Sequence, residues 1–121
     1  MHEGGCLCGN IRYRATGESD FPHVCWCVHC QKLSGSPVKS WVDFPVDGFT
    51  WTGPGGEPKW YRTWPTTKRG FCPECGSSFA AIDDDGTMMG VTIVSLDEPA
   101  GLIPTHQSFK ENAVPWLALI D

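Results

Sequence analysis

Apolar and polar side chains alternate over short stretches of this chain, and no long stretch repeats its apolar positions with a helical period. Ile11 and Tyr13, for example, alternate with Arg12 and Arg14, which predicts a strand with one buried face. Similar short runs predict further strands at residues 38–44, 49–52, 59–63, 79–82, 88–96 and 116–120. The pattern therefore predicts a mostly β protein.

Turn-forming residues separate these runs, because the chain contains 14 glycines and 10 prolines. Asp85-Gly86 is typical of a hairpin turn between two of the predicted strands. One short helical turn is expected at residues 29–33, ended by Ser34-Gly35. The length of 121 residues suits one domain, so we expect residues 1–121 to form a single unit.

The seven cysteines fall into three clusters, and this pattern indicates a β domain that binds metal. They form a C-x-C pair, a C-x-C-x-x-C triplet and a C-x-x-C pair followed by glycine. An odd number cannot be paired entirely as disulfides, and closely spaced thiols in a reduced compartment favour metal binding.

The two cysteine pairs together supply the four ligands of a closed zinc site. Residues i and i+2 of a strand point to one face, so Cys6 and Cys8 are expected to reach the same ion. The turn of Cys72 and Cys75, completed by Gly76, aims two further thiolates at one point. We expect these four cysteines to hold a structural zinc that ties the N-terminal segment to the middle of the chain.

The remaining cysteines, Cys25, Cys27 and Cys30, can cap one face of a second zinc and leave its fourth position open. Closed zinc sites are structural and open ones support chemistry. The fourth ligand could be water, an exogenous molecule or one of the histidines at positions 23, 29 and 106. Alternatively, a side chain closes the site, or the triplet stays empty or partly oxidised.

A sulfur-rich zinc site with an open position favours an incoming thiolate over water. Zinc lowers the pKa of such a thiol and holds it as a nucleophile at neutral pH. The expected reaction class is therefore the making or breaking of carbon–sulfur bonds, for example the addition of a thiol to a small aldehyde.

Three ordered motifs run along the chain. The first is G-G-C-L-C-G followed by I-R-Y, the second is the triplet followed by Q-K-L-S-G-S, and the third is R-G-F-C-P-E-C-G-S. Together they resemble the motifs of the glutathione-dependent formaldehyde-activating enzyme family, which also includes centromere protein V. Leu96-Asp97, Pro104, His106 and Trp116 fit the looser C-terminal part, so the resemblance spans nearly the whole chain.

The resemblance implies a β-tent, in which two packed antiparallel sheets join near zinc, as in methionine-R-sulfoxide reductases and Rab release accessory proteins. It implies a structural zinc on the first and third motifs and a catalytic zinc on Cys25, Cys27 and Cys30. The implied reaction joins glutathione and formaldehyde into S-(hydroxymethyl)glutathione. His29 and His106 are candidates for a place beside the ligands of the second zinc; the alternatives are a surface or turn residue for His29 and an ordinary loop residue, which is favoured, for His106. The family usually has histidine between the first two cysteines of the triplet, where this chain has Trp26, which is expected in the core or a pocket wall.

Charge narrows the choice of partners. The formal net charge of −5 becomes more negative when seven thiolates bind two Zn²⁺ ions, so a nucleic-acid partner is not expected. The two carboxylates of a glutathione-like thiol require a cationic contact. Four cations flank the motifs, although each is expected on the surface: Lys32, Arg62, Lys68 and Arg69.

No apolar stretch approaches the roughly 20 residues of a spanning helix, and the N-terminus does not resemble a signal peptide. We therefore expect a cytoplasmic protein without a membrane partner, and sheet edges that leave a homodimer open.

Two other functions compete with the enzyme. The first is a non-catalytic, zinc-stapled module that binds a protein or a thiol, and four-coordination of both zincs by protein would favour it. The second is a sulfoxide reductase, which needs a catalytic cysteine free of metal.

Overall fold

The computed structural model describes residues 1–119, which form ten strands, one α-helix and two short 3₁₀ helices. The strands are β1 (His2–Gly5), β2 (Arg12–Ala15), β3 (Asp20–Cys25), β4 (Lys39–Pro45), β5 (Phe49–Trp51), β6 (Lys59–Trp64), β7 (Thr67–Phe71), β8 (Ser78–Asp83), β9 (Met88–Thr92) and β10 (His106–Ser108). The helix α1 spans Val28–Ser34, and the 3₁₀ helices span Ile93–Ser95 and Lys110–Asn112.

The strands form two sheets. A three-stranded sheet has the order β1-β2-β5, and a seven-stranded sheet has the order β10-β3-β4-β9-β8-β7-β6. All pairings are antiparallel except that of β10 with β3, which is parallel. The prediction of a mostly β fold with two sheets is confirmed, and the expectation of purely antiparallel sheets is wrong for this one edge.

The main core includes side chains of both sheets. Tyr13 of β2, Phe44 of β4 and Phe79 of β8 are fully or almost fully buried in it. Strand alternation places Val42 and Phe44 in this core, whereas the intervening Asp43 and the preceding Trp41 face the other side of the seven-stranded sheet. A second buried cluster on that side contains Trp41 and the three cysteines of the triplet.

Helix α1 begins and ends as its sequence indicates. The Sγ atom of Cys27 caps its N-terminus by accepting from the backbone N–H of Cys30, and Gly35 ends it in the left-handed conformation with φ of 70°. The predicted stop at Ser34-Gly35 is therefore confirmed.

Two predicted strands differ from the structure. The run at 88–96 leaves the strand conformation after Thr92, where Ser95 Oγ donates to the carbonyl of Thr92 and stabilises a 3₁₀ turn. The segment from Trp116 to residue 119 is not a strand, because Pro115 and Trp116 form a turn and the Trp116 side chain stays 72% exposed. Position 120 of that prediction lies outside the described residues.

Four short strands, β1, β3, β7 and β10, were not predicted by the pattern. Pro22 and a register shift between Asp20 and His23 interrupt the alternation of β3, and β10 has only three residues. Within residues 1–119, no helix is long and apolar enough to cross a membrane.

Candidate active site

The two cysteine pairs meet although 64 residues separate Cys8 from Cys72. The Sγ atoms of Cys6, Cys8, Cys72 and Cys75 all lie within 4.8 Å of one another. The distance is 3.6 Å between Cys6 Sγ and Cys8 Sγ, and 3.7 Å between Cys8 Sγ and Cys72 Sγ. A tetrahedral zinc with Zn–S bonds of about 2.3 Å needs sulfur atoms about 3.8 Å apart, so these thiols fit a zinc ion.

Backbone turns, rather than a strand, bring each pair together. Cys6 and Cys8 lie in a turn after β1, so the expectation that strand alternation aligns them is wrong. The backbone N–H of Ile11 donates to Cys6 Sγ at 3.3 Å, and that of Cys75 donates to Cys72 Sγ at 3.5 Å. Gly76 closes the second turn with φ of 80°, where a β-carbon would be strained. These N–H groups offset thiolate charge when a metal is bound.

Ser77 connects the two turns. Its Oγ accepts from the backbone N–H of Leu7 at 3.0 Å and lies 3.2 Å from Cys75 Sγ. Hydrogen bonds from the side chain and backbone of Ser77 lower the pKa of the Cys75 thiol to about 5. Cys75 is therefore poised to ligate a metal as a thiolate.

The triplet forms a second group of potential ligands on the other side of the large sheet. Cys25 ends β3, Cys27 caps α1 and Cys30 lies in its first turn, and all three are buried. Their Sγ atoms lie within 4.8 Å of one another, and no other His, Cys, Asp or Glu of residues 1–119 joins the group. Three thiolates on one side fit a zinc ion whose fourth ligand comes from elsewhere.

The histidines considered for this site have other neighbours. The ring of His29 stacks on Trp64, with centroids 4.0 Å apart and an angle of 12° between the planes. His106 is exposed on β10, paired in register with His23, and its ring lies 5.3 Å from that of Phe21. The structure brings neither His29 nor His106 within 4.8 Å of all three sulfur atoms.

Trp26, the residue between the first two cysteines, belongs to the interior. Its side chain is 1% exposed, and its Nε1 donates to Oε1 of Gln107 at 2.9 Å. This contact attaches the segment before α1 to β10, so Trp26 helps to fix the position of the triplet.

Arg69 lies buried beside the triplet, so the expectation that it lies on the surface is wrong. It is 7% exposed, and its Nη1 and Nη2 donate to Cys30 Sγ at 3.2 Å and to Cys27 Sγ at 3.6 Å. Hydrogen bonding by Cys25, together with the hydrogen bond and positive charge of Arg69, lowers the pKa of Cys30 to about 4. The sequence feature that could have indicated a place for Arg69 beside the cysteines is its position at the start of the third cysteine motif.

Lys39 is a second buried cation that the sequence reading missed. Its Nζ donates to Ser78 Oγ at 3.1 Å and lies 5.0 Å from the centre of the Trp41 ring, over which Arg69 also packs at 5.5 Å. Burial, and then the charge of Arg69, lower the pKa of Lys39 to about 8. The other flanking cations have surface contacts: Arg62 pairs with Asp84, and Lys68 packs over Trp60.

A cavity of about 550 Å³ opens beside the triplet. Cys25, Cys30, Trp41 and Arg69 form buried parts of its lining, and the exposed parts include Phe21. A small molecule in this cavity would therefore reach two of the three thiolates.

Two comparisons with known proteins found similarity to this chain. A family model described as glutathione-dependent formaldehyde-activating enzyme matches residues 1–112. A crystal structure of a Rhodobacter sphaeroides protein superposes with a TM-score of 0.69 at 18% identity, covering 88% of this chain and 99% of that one. At this identity the likeness concerns the fold. The comparison with curated proteins found no match.

Proposed function

Because this chain belongs to the glutathione-dependent formaldehyde-activating enzyme family, we propose that it adds a thiol to formaldehyde or a related small aldehyde. In this proposal it is a carbon–sulfur lyase of the S-(hydroxymethyl)glutathione synthase type. The observation that carries the proposal is the cavity of about 550 Å³ whose lining includes Cys25 and Cys30 of the three-thiol cluster.

The proposed reaction makes one carbon–sulfur bond. The sulfur of the thiol attacks the carbonyl carbon, the C=O π bond opens onto oxygen, and the proton lost by sulfur ends on that oxygen. A zinc ion held by Cys25, Cys27 and Cys30 would supply the acidity that keeps the substrate sulfur deprotonated at neutral pH. No oxidant or reductant is needed, since the product contains all atoms of both substrates.

The protein's own contribution is to hold the thiolates and to offset their charge. Three thiolates and one Zn²⁺ leave a net charge of −1, and a substrate thiolate adds another negative charge. Arg69 donates to two of the thiolates, and Lys39 lies buried nearby over Trp41. Fixed cations in a buried site stabilise such charge more strongly than water-exposed ones.

Cys6, Cys8, Cys72 and Cys75 are proposed to hold the structural zinc of a β-tent. The Sγ spacing and the link through Ser77 support this role, because they join the end of β1 to the turn between β7 and β8. A metal at this position would stabilise a chain of this length considerably. Reduced thiols in all seven positions suit the cytoplasm, which we propose as the location.

The competing function, a zinc-stapled binding module, requires a second zinc that protein side chains close. Within residues 1–119, the triplet gains no fourth His, Cys, Asp or Glu ligand and borders a cavity instead. Both observations support an open site, and so they favour the enzyme.

The test is exchange NMR of formaldehyde and thiols in the presence of the zinc-loaded protein. We expect faster interconversion of free and hydroxymethylated thiol than in buffer, and loss of the acceleration in Cys25→Ser with the fold retained by circular dichroism. A rate equal to that in buffer for every thiol tested would reject the proposal.

A further inference from the structure

The charges around the cavity are unevenly distributed. Three aspartates line it, Asp43, Asp83 and Asp85, whereas Arg69 is the single arginine or lysine among its described lining residues. Within residues 1–119, none of these aspartates forms an ion pair with lysine or arginine. The cavity is therefore negatively charged even before the thiolates are counted.

Arg69 is already engaged with the triplet. Both of its Nη atoms donate to sulfur atoms of the triplet, and its Nε is buried without a hydrogen-bond partner among the described residues. The thiolates that Arg69 contacts offset its positive charge, and a glutathione carboxylate entering the cavity would face three carboxylates, an arrangement that disfavours binding.

Strand register places Arg69 and Asp43 on the same face of the sheet, at opposite ends of one row. Arg69 of β7 pairs with Ala81 of β8, Ala81 pairs with Gly90 of β9, and Gly90 pairs with Asp43 of β4. These four residues form one row across the sheet, and adjacent strands lie about 4.8 Å apart. Arg69 lies at one end of the row and Asp43 at the other, with two small residues between them. Cys25 lies on β3 in register with Lys39 of β4, and Asp83 lies on β8 in register with Thr67 of β7.

The small residues leave room above the sheet. A β-carbon on Gly90 would lie 3.2 Å from Asp43 Oδ1 and 3.3 Å from the carbonyl oxygen of Ala81. The carboxylate of Asp43 thus lies directly over the glycine, on the cavity side. Asp83 is held in place by Thr67, whose Oγ1 donates to its Oδ1.

An aromatic side chain also lines the cavity. Phe21 has φ of 51°, in the left-handed region that non-glycine residues rarely adopt, and it is 43% exposed. Its ring stacks on His23 with centroids 4.2 Å apart, so it forms an apolar wall rather than an open face for a cation. The three carboxylates therefore carry the preference of the cavity for a positively charged group.

We propose that Asp43 and Asp83 select positively charged thiols, that is, small aminothiols, over thiols that carry carboxylates, glutathione included. The thiolate lies beside the triplet and Arg69, and the ammonium group lies within the part of the cavity that the carboxylates of Asp43 and Asp83 line. The inference rests on the proposed function, because it assigns the substrate class of the same site.

The test measures binding of three small thiols to the cobalt-loaded protein: cysteamine (cationic), 2-mercaptoethanol (neutral) and 3-mercaptopropionate (anionic), with glutathione as a fourth. A thiolate that joins the triplet's cobalt intensifies the sulfur-to-cobalt absorption, which gives a dissociation constant without any turnover. The protein variants are the wild type, Asp43→Asn/Asp83→Asn and, as a control, Asp47→Asn, which removes an exposed charge in the turn between β4 and β5.

The wild type and Asp47→Asn are expected to bind cysteamine about tenfold more tightly, relative to 3-mercaptopropionate, than the double variant does. Comparing this ratio between variants cancels the different acidities of the thiols. An unchanged ratio in the double variant, with both metals and the circular dichroism spectrum retained, would overturn the selection by charge while leaving the proposed function intact. Absence of spectral change with all four thiols would overturn both.

Discussion

Arg69 Nη1 donates to Cys30 Sγ across 3.2 Å, although the two residues are 39 positions apart in the chain. The contact joins two of the cysteine motifs, because Arg69 opens the third motif and Cys30 belongs to the second. Arg69 also donates to the Sγ atom of Cys27, and this sulfur atom caps the N-terminus of α1. The position of α1 and the charge of the thiol cluster therefore depend on the same guanidinium.

Replacing Arg69 with methionine is expected to weaken zinc binding by the triplet about 10- to 100-fold, the usual cost of losing a partner of metal ligands. Two thiolates lose their donors, while the methionine retains much of the apolar volume. Competition with a chromophoric chelator measures the affinity of each zinc. Lys68→Met is the matched control, since it removes the same charge one residue away, where Lys68 packs over Trp60. Wild-type affinity of both zincs in Arg69→Met would contradict the role of the contact.

Cys72→Ser and Cys30→Ser compare the two clusters through equally buried residues, both 0% exposed. Each variant is expected to retain one zinc instead of two. Cys72→Ser should also lose about 3 kcal/mol or more of unfolding free energy, because its cluster joins distant segments of the chain. Cys30→Ser should lose much less, because its cluster is local. Zinc analysis and denaturant unfolding check both, and equal destabilisation would contradict the division into a structural and a reactive site.

The grouping of the cysteines into four and three could be predicted, because it depends on how many cysteines the chain has and on their local spacing. Turn geometry within C-x-C and C-x-x-C brings thiols together without reference to the rest of the fold. The burial of Arg69 could not be predicted in this way, since it results from the pairing of β7, β8, β9 and β4 across the sheet. The same holds for Asp43, whose place opposite Gly90 is set by strand register.

The failure to predict β10 also arises from pairing between distant parts of the chain. β10 is a three-residue strand without alternation, and it exists because β3 offers a parallel edge far away in sequence. Met88–Thr92 was recognised as a strand, but its end was not, because the 3₁₀ turn after it depends on a hydroxyl network around Ser95.

That network yields a prediction for the core. Ser95 Oγ donates its proton to the carbonyl of Thr92, so the hydroxyl of Tyr13 must donate to Ser95 Oγ, 2.6 Å away. Tyr13→Phe removes this hydrogen bond between β2 and the 3₁₀ helix after β9 and is expected to lower the unfolding free energy by about 1 kcal/mol. Tyr61→Phe, at a position 60% exposed, is the control and should be neutral. Equal unfolding midpoints for the two variants would refute the role of the bond.

The ion pair of Arg12 and Asp97 should make stability depend on acid. The Arg12 guanidinium donates to both carboxylate oxygens, at 2.9 and 2.6 Å, and holds the pKa of Asp97 below its ordinary value of 3.8. Because the folded pKa is the lower one, the stabilisation is present above pH 3.8 and is lost as the pH falls through the folded pKa.

Asp97→Asn is therefore expected to lower the melting temperature slightly at pH 7, and the difference from the wild type should shrink as the pH falls below about 4. The effect is small because the Asp97 side chain is 52% exposed and solvent screens the pair. Thermal unfolding at a series of pH values measures this effect. Both proteins lose zinc in acid, and the difference between their melting temperatures cancels that shared loss. A difference that stays constant or grows towards low pH would show that Asp97 acts through something other than its charge.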